Sequence, residues 1–255
     1  MDKHGLAVEA ARILTKKDGA SVITRQIGEV KITDVKLSAD AAERIGRREG
    51  RYITLHGEPD AEGLTGLLRR ALLQLIPPRG RLFAAGLGNP DVTQDSLGAV
   101  CVRSMTARKG CRYSMAAIET DVAAKTGLET ARLVKAAARE LKADCVIAID
   151  ALSCGDPSYI GKTVQLGSAG IIPGSGAGAG TGSSTGSGRG AEGELTPELL
   201  GCSVVSVGVP TVTALSSVTH EQTHSKYLIS PADIDTIINM WAEVIGGAID
   251  SIVGG

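Results

Sequence analysis

Aromatic residues are nearly missing from this 255-residue chain: one Trp, one Phe and four Tyr, 2% in all. A core made without them has to come from Val, Ile, Leu and Ala, and a 43% hydrophobic content is enough to supply it. An excess of charge of either sign is also lacking. Lys and Arg number 27 against 28 Asp and Glu, a net charge of −1, which leaves no electrostatic footprint for nucleic acid. The five cysteines (Cys101, Cys111, Cys145, Cys154, Cys202) are odd in number and irregularly spaced, and no C-x-x-C occurs. That usage excludes a disulfide framework and suits reduced thiols in a cytoplasmic compartment. No signal peptide opens the chain and no apolar run reaches about 18 residues, so no membrane span is expected.

What is present is a pattern of strands and helices in alternation. Leu6–Lys17 has helical spacing, and Ser21–Gln26 with Glu29–Leu37 reads as a β-hairpin around Gly28. Helices are predicted over Ala39–Arg48, Leu64–Leu75, Asp95–Met105, Gly127–Leu141 and Ala232–Ile252. Strands are predicted over Tyr52–His56, Arg81–Ala85, Asp144–Asp150, Thr163–Leu166 and Ser203–Val209, with Gly208–Val212 ending the last in a turn. Strand–helix–strand order with short links implies an α/β fold, a mixed and largely parallel sheet with helices on both faces, and the N-terminal hairpin beside it. One domain over 1–255 accommodates all of it, with 173–193, rich in Gly and Ser, as a flexible loop.

Two of these strands end on carboxylates. Leu82-Phe-Ala-Ala-Gly86 runs into Leu87-Gly88-Asn89 and then to Asp95, and Cys145-Val-Ile-Ala-Ile carries Asp150. The C-terminal edge of a parallel sheet is where such folds place their chemistry. A close carboxylate pair shares a proton, so that one member acts as base on water while the other polarises a carbonyl. The same pair could ligate a metal. The bland readings are a helix N-cap for Asp95 and a strand-end turn residue for Asp150. Gly86, Gly88 and Asn89 form half of a dinucleotide fingerprint without its third glycine, so their expected use is a tight turn whose amides bind an oxyanion or a substrate strand. His220-Glu221-Gln-Thr-His224 fits the zinc-peptidase pattern H-E-x-x-H, but its polar, β-branched flanks read as an exposed loop. Cys154 reads as a buried thiol rather than a nucleophile, Arg108, Lys109 and Arg112 as a solvated turn, and His4 and His56 as structural.

Several blocks in order along the chain resemble the germination proteases of spore-forming bacteria. They are Leu6-Ala-Val-Glu-Ala10, Gly86-Leu-Gly-Asn89 with Val92-Thr93 and Asp95-Ser-Leu-Gly98, Thr126-Gly-Leu-Glu-Thr130, Val146-Ile-Ala-Ile-Asp-Ala-Leu152, Gly170-Ile-Ile-Pro-Gly-Ser-Gly176, Gly208-Val-Pro-Thr-Val212 and Leu228–Gly247. The resemblance implies an aspartic-type endopeptidase that degrades small acid-soluble spore proteins, cutting after an acidic residue and before an apolar one. It implies catalytic roles for Asp95 and Asp150, substrate or oxyanion binding by Gly86, Gly88, Asn89, Gly174, Ser175 and Gly176, and no cofactor. It also implies a fold like that of hydrogenase-maturation endopeptidases, which bind nickel between carboxylates and so keep a metal at the aspartate pair as the rival role. Only five residues precede Leu6, which argues against autoprocessing; the segment 177–193 looks inserted, and the Val212–Leu228 connection is short. Homo-oligomerisation, metal-dependent proteolysis at His220 and His224, and a non-catalytic spore-associated homologue stay open.

Overall fold

The computed structural model describes residues 6–14, 18–174, 193–219, 221, 224 and 227–254. Among them ten strands join one sheet: β1 (Ala20–Ile27), β2 (Val30–Leu37), β3 (Gly50–His56), β4 (Gly80–Gly86), β5 (Arg108–Lys109), β6 (Tyr113–Glu119), β7 (Cys145–Cys154), β8 (Thr163–Gly167), β9 (Ser203–Ala214) and β10 (Leu228–Ile229). The order is β1-β2-β3-β8-β9-β7-β4-β6-β5, with β10 on β9. The α/β architecture expected from the sequence is present. Its parallel part is the run β9-β7-β4-β6, and antiparallel strands extend it on both sides. The hairpin β1-β2 does not stand apart: β2 pairs with β3 and makes the hairpin the outer edge of the same sheet.

Helices in chain order are α1 (Ala7–Ala10), α2 (Ala39–Arg44), α3 (Leu64–Leu72), α4 (Leu97–Ser104), α5 (Ala123–Thr126), α6 (Thr130–Leu141), α7 (Pro197–Leu200), α8 (Ser216–Thr219) and α9 (Ile234–Gly254). They cover both faces because successive strand residues point to opposite sides. Ile147 and Ile149 of β7 pack with α3, α4 and α9, whereas Val146 and Ala148 pack under α6. A third cluster sits between α1, α2 and the strands β2 and β3. Helix α9 is, among the described residues, the one helix long and apolar enough to cross a membrane by length and composition (21 residues, mean hydropathy 1.3), although Asp235, Glu243 and Asp250 break it into shorter apolar runs. It is a core helix: Ile234, Ile238, Trp241, Val244, Ile245 and Ile249 are all buried, and the Trp241 indole N–H donates to the Gly161 carbonyl at 2.6 Å.

Other departures have local causes. The helix expected over Leu6–Lys17 is α1 followed by a 3₁₀ turn at Ala11–Ile13, with Leu14 already extended. The segment is tied down by Glu9, whose carboxylate accepts the amides of Leu6, Gly155 and Asp156. Strand β7 runs four residues past Asp150. Strand β9 runs through Pro210 to Ala214 instead of turning. Proline is tolerated there because the ladder slips: Leu152 faces Pro210, but Ser153 faces Val212, leaving Thr211 as a bulge. Strand β6, poor in β-branched residues, escapes the sequence reading, and Arg108–Lys109, expected as a turn, is the short strand that pairs with it.

Candidate active site

The end of β4 is set by close backbone packing. A Cβ on Gly86 would sit 2.2 Å from the Gly98 carbonyl oxygen, and one on Gly98 would sit 2.3 Å from the Leu87 nitrogen and 2.5 Å from the Ile149 oxygen. Glycine at both positions lets α4 press onto the junction of β4 and β7. Leu87 N–H donates to the Ile149 carbonyl at 2.8 Å, and the amide and hydroxyl of Thr120 both donate to the Gly86 carbonyl. The chain then turns at Gly88, whose φ of +97° is one that side-chain-bearing residues avoid. A Cβ there would lie 2.1 Å from the Asp95 carbonyl oxygen. Asn89 follows with its side-chain oxygen accepting the Asp91 amide at 3.0 Å, an Asx turn.

This turn delivers Asp95. It closes a 3₁₀ turn, Thr93–Asp95, that precedes α4, so the helix predicted to begin at Asp95 starts at Leu97 and Asp95 is not its side-chain cap. Asp95 is 4% exposed. Its Oδ2 accepts the Asn89 amide at 2.8 Å, while its buried Oδ1 has no protein hydrogen-bond partner. Asp150 lies inside β7, fully buried, which removes the turn-residue reading. Its Oδ1 accepts the Ala151 amide at 2.9 Å and its Oδ2 the Gly174 amide at 3.1 Å.

The electrostatics join the two. Burial pushes the Asp95 carboxyl up, opposed by the Asn89 N–H. Asp150 is held well above the usual carboxylate range, first by burial and then by the nearby negative charge of Asp95, against the N–H groups of Gly174 and Ala151. Two groups far apart in sequence therefore share one electrostatic environment. The amides of Asn89 and Gly174, expected to face a substrate, are instead spent on these carboxylates, and Gly86 and Gly88 serve close packing and the turn. Ser175 and Gly176 lie outside the described residues.

A residue the sequence reading missed completes the support. Thr211, at the β9 bulge and fully buried, donates its hydroxyl to the Gln94 carbonyl at 2.6 Å and so clamps the turn beside Asp95. Ser230 in turn donates to the Thr211 carbonyl at 2.8 Å. The available signal is a threonine just beyond Pro210, past the end of the predicted strand Ser203–Val209.

The other candidates do not converge here. Among the described residues no group of three or more His, Cys, Asp or Glu is placed to hold a metal ion. At the aspartate pair, three of the four oxygens accept a backbone N–H bond and Asp95 Oδ1 accepts none. Two carboxylates with no third such ligand among the described residues fall short of the several oxygen or nitrogen ligands a divalent cation takes. His220 lies outside the described residues. Glu221 is outside any helix, exposed, and 3.5 Å from His224 Nε2, while Thr219 Oγ1 meets His224 Nδ1 at 3.1 Å. Cys154 is buried and its thiol is pushed up to about 12 by that burial, so it stays protonated at neutral pH.

A family model described as Germination protease matches residues 3–230. The germination protease of Geobacillus sp. (strain WCH70) is 30% identical over 251 residues, 87% of this chain and 64% of that protein. That of Clostridium acetobutylicum is 30% identical over 236 residues, 81% of this chain and 69% of the relative. That of Priestia megaterium is 30% identical over 227 residues, 80% and 58%. The chain thus spans 58–69% of the length of these three relatives. Among solved structures, a [NiFe] hydrogenase maturation protease HycI from Thermococcus kodakarensis KOD1 aligns with 70% of this chain and 98% of its own, at 16% identity and a TM-score of 0.37.

Proposed function

Because the chain belongs to the germination protease family, we propose that it is an endopeptidase that hydrolyses small acid-soluble spore proteins, using water activated between Asp95 and Asp150. The carrying observation is the pair itself: two buried carboxyls, one in the turn after β4 and one inside β7, the second raised by burial and then by the charge of the first. Their environments differ, and a difference in pKa assigns acid and base. Asp150 holds the proton. Asp95, with Oδ1 free of N–H bonds, is the base. Asp95 takes a proton from water as the oxygen attacks the peptide carbonyl, and Asp150 gives its proton to the carbonyl oxygen. Collapse of the tetrahedral intermediate returns that proton to Asp150 and passes the one on Asp95 to the leaving amine. On this reading the protein works in the cytoplasm of the forespore or the spore core, where its substrates are.

The test is incubation of the purified protein with a small acid-soluble spore protein, with and without chelator, and mapping of the cut by mass spectrometry. A discrete cut that survives chelator is expected. Asp95→Asn and Asp150→Asn should each lower kcat by about 10²–10⁴-fold, the range of general acid–base catalysis, with circular dichroism unchanged. Full activity in either variant removes the mechanism, and cleavage lost to chelator transfers it to a metal.

A further inference from the structure

The carboxylate pair is closed off in this structure. Asp150 is wholly buried and Asp95 is 4% exposed, and the Asp95 Oδ1 that accepts no hydrogen bond is itself buried. Hydrolysis by the pair needs both side chains within hydrogen-bond reach of a water and a peptide group. A substrate chain cannot make that approach until part of the covering is displaced.

The side of Asp95 is fixed from several directions. Gly88 packs against the Asp95 carbonyl oxygen, and the Thr211 hydroxyl holds the Gln94 carbonyl. Lys125 Nζ ties the turn to its surroundings, 2.6 Å from Asp91 Oδ2 and 2.7 Å from Asp121 Oδ2. The side of Asp150 is covered more thinly, by the segment Gly170–Gly174 that follows β8. Gly174 donates its amide to Asp150 Oδ2 at 3.1 Å. Gly174 itself is partly exposed, and a Cβ there would meet no atom within 4 Å. One thickness of backbone thus separates the Asp150 carboxyl from open space on this side.

Little else holds that segment. Ile171 exchanges two backbone hydrogen bonds with Leu195, of 3.0 and 2.8 Å, in an isolated bridge, and its side chain packs partly buried on the cluster under α6. Ile172 is 54% exposed, and neither it nor Pro173 makes a hydrogen bond among the described residues. Glycines of positive φ stand at both ends, Gly170 at +93° and Gly174 at +72°, and a few small residues at the end of an element absorb the backbone rotation of a hinge. Three backbone hydrogen bonds and one packed side chain belong to the low-stability end of a fold. Strand β7 beneath, by contrast, is paired on both sides as far as Ile149.

We infer that Gly170–Gly174 is a strap that closes the aspartate site at rest and swings off Asp150 to admit the substrate chain, an inference that rests on the catalytic reading of the pair. Opening breaks the hydrogen bond from Gly174 to Asp150 and frees that amide for the incoming peptide. The experiment has two arms. In the whole wild-type chain, hydrogen exchange followed by NMR and corrected for intrinsic rates should show the Gly174 amide exchanging about tenfold or more faster than that of Ile149, through an opening short of global unfolding. In the second arm, Ile171→Cys and Leu195→Cys are combined. A hydrogen-bonded antiparallel pair has Cα atoms about 5.5 Å apart, within the span of a disulfide. Oxidation should slow cleavage of a small acid-soluble spore protein and exchange at Gly174 by about tenfold or more each. Reduction should restore both, and the wild-type chain under the same oxidation should not change. A Gly174 amide as protected as that of Ile149, or an oxidised variant that cleaves as fast as its reduced form, overturns the strap. Should the pair not cross-link, the wild-type exchange decides. A cross-link that slows Gly174 exchange in a chain that cleaves in neither form keeps the strap and removes the catalytic reading.

Discussion

Gly88 shows how a single residue can serve a reaction without touching a substrate. Its positive φ makes the turn, and its missing side chain leaves room for Asp95 2.1 Å from where a Cβ would stand. Gly88→Ala combines backbone strain with a clash and is expected to cost about 1–3 kcal/mol while moving Asp95. Gly63→Ala is the control, since φ is +76° there but the space around it is open, and it should cost about 1 kcal/mol with activity intact. Urea unfolding and peptide cleavage on both variants check the pair. The buried aspartates carry a pH signature as well. Both carboxyls are raised in the folded chain, so the folded state keeps protons that the unfolded state releases at about pH 3.9. Below that pH their burial costs nothing. Stability falls as pH rises from there through the folded-state values, because the unfolded state then binds fewer protons. Asp150→Asn should flatten that fall in a series of thermal melts across pH, and an unchanged slope would show that Asp150 is not the buried acid inferred here.

At the scale of elements, the site depends on strands that outrun their sequence signals. Strand β9 continues through Pro210 because the bulge at Thr211 absorbs the irregularity, and the same bulge aims the Thr211 hydroxyl at Gln94. Thr211→Val keeps the shape and leaves the Gln94 carbonyl unpaired, a loss of about 1–3 kcal/mol. As Thr211 acts through the turn and not on substrate, kcat should fall with KM nearly unchanged, and Thr211→Ser should restore much of it. A rise in KM instead would place Thr211 in substrate binding. Helix α4 meets β4 and β7 with Gly98 against Leu87 and Ile149. Like the approach of Gly88 to the Asp95 carbonyl oxygen, this contact is backbone on backbone and cannot relax by turning a side chain aside.

Over the whole molecule, α9 closes one face of the sheet with a stripe of buried aliphatics around Trp241. As the only Trp in the chain, and wholly buried, it reports global unfolding: its emission should shift to the red in one transition coincident with circular dichroism. Trp241→Ala should destabilise by about 3–5 kcal/mol, measured as a lower urea midpoint by circular dichroism. The opposite face carries α6 and, beyond it, the N-terminal segment packed on β2 and β3.

The sequence by itself determined what depends on neighbours in the chain. The apolar run before Gly86, the run that carries Asp150, the spacing of Ile234 to Ile249 in α9 and the Val/Thr/Ile alternation of the hairpin all encode their elements through local periodicity. The two candidate aspartates could be read in the same way, from where such runs stop. The tertiary structure alone decided the rest. It set the sheet order that lays Asp150 of β7 near Asp95 after β4, gave the Asn89 and Gly174 amides to the carboxylates, and recruited Thr211 and a strand at Tyr113–Glu119 that has almost no β-branched residues. These features rest on burial and on contacts across long stretches of chain, and local periodicity carries no information about which distant group will remove water from a given side chain.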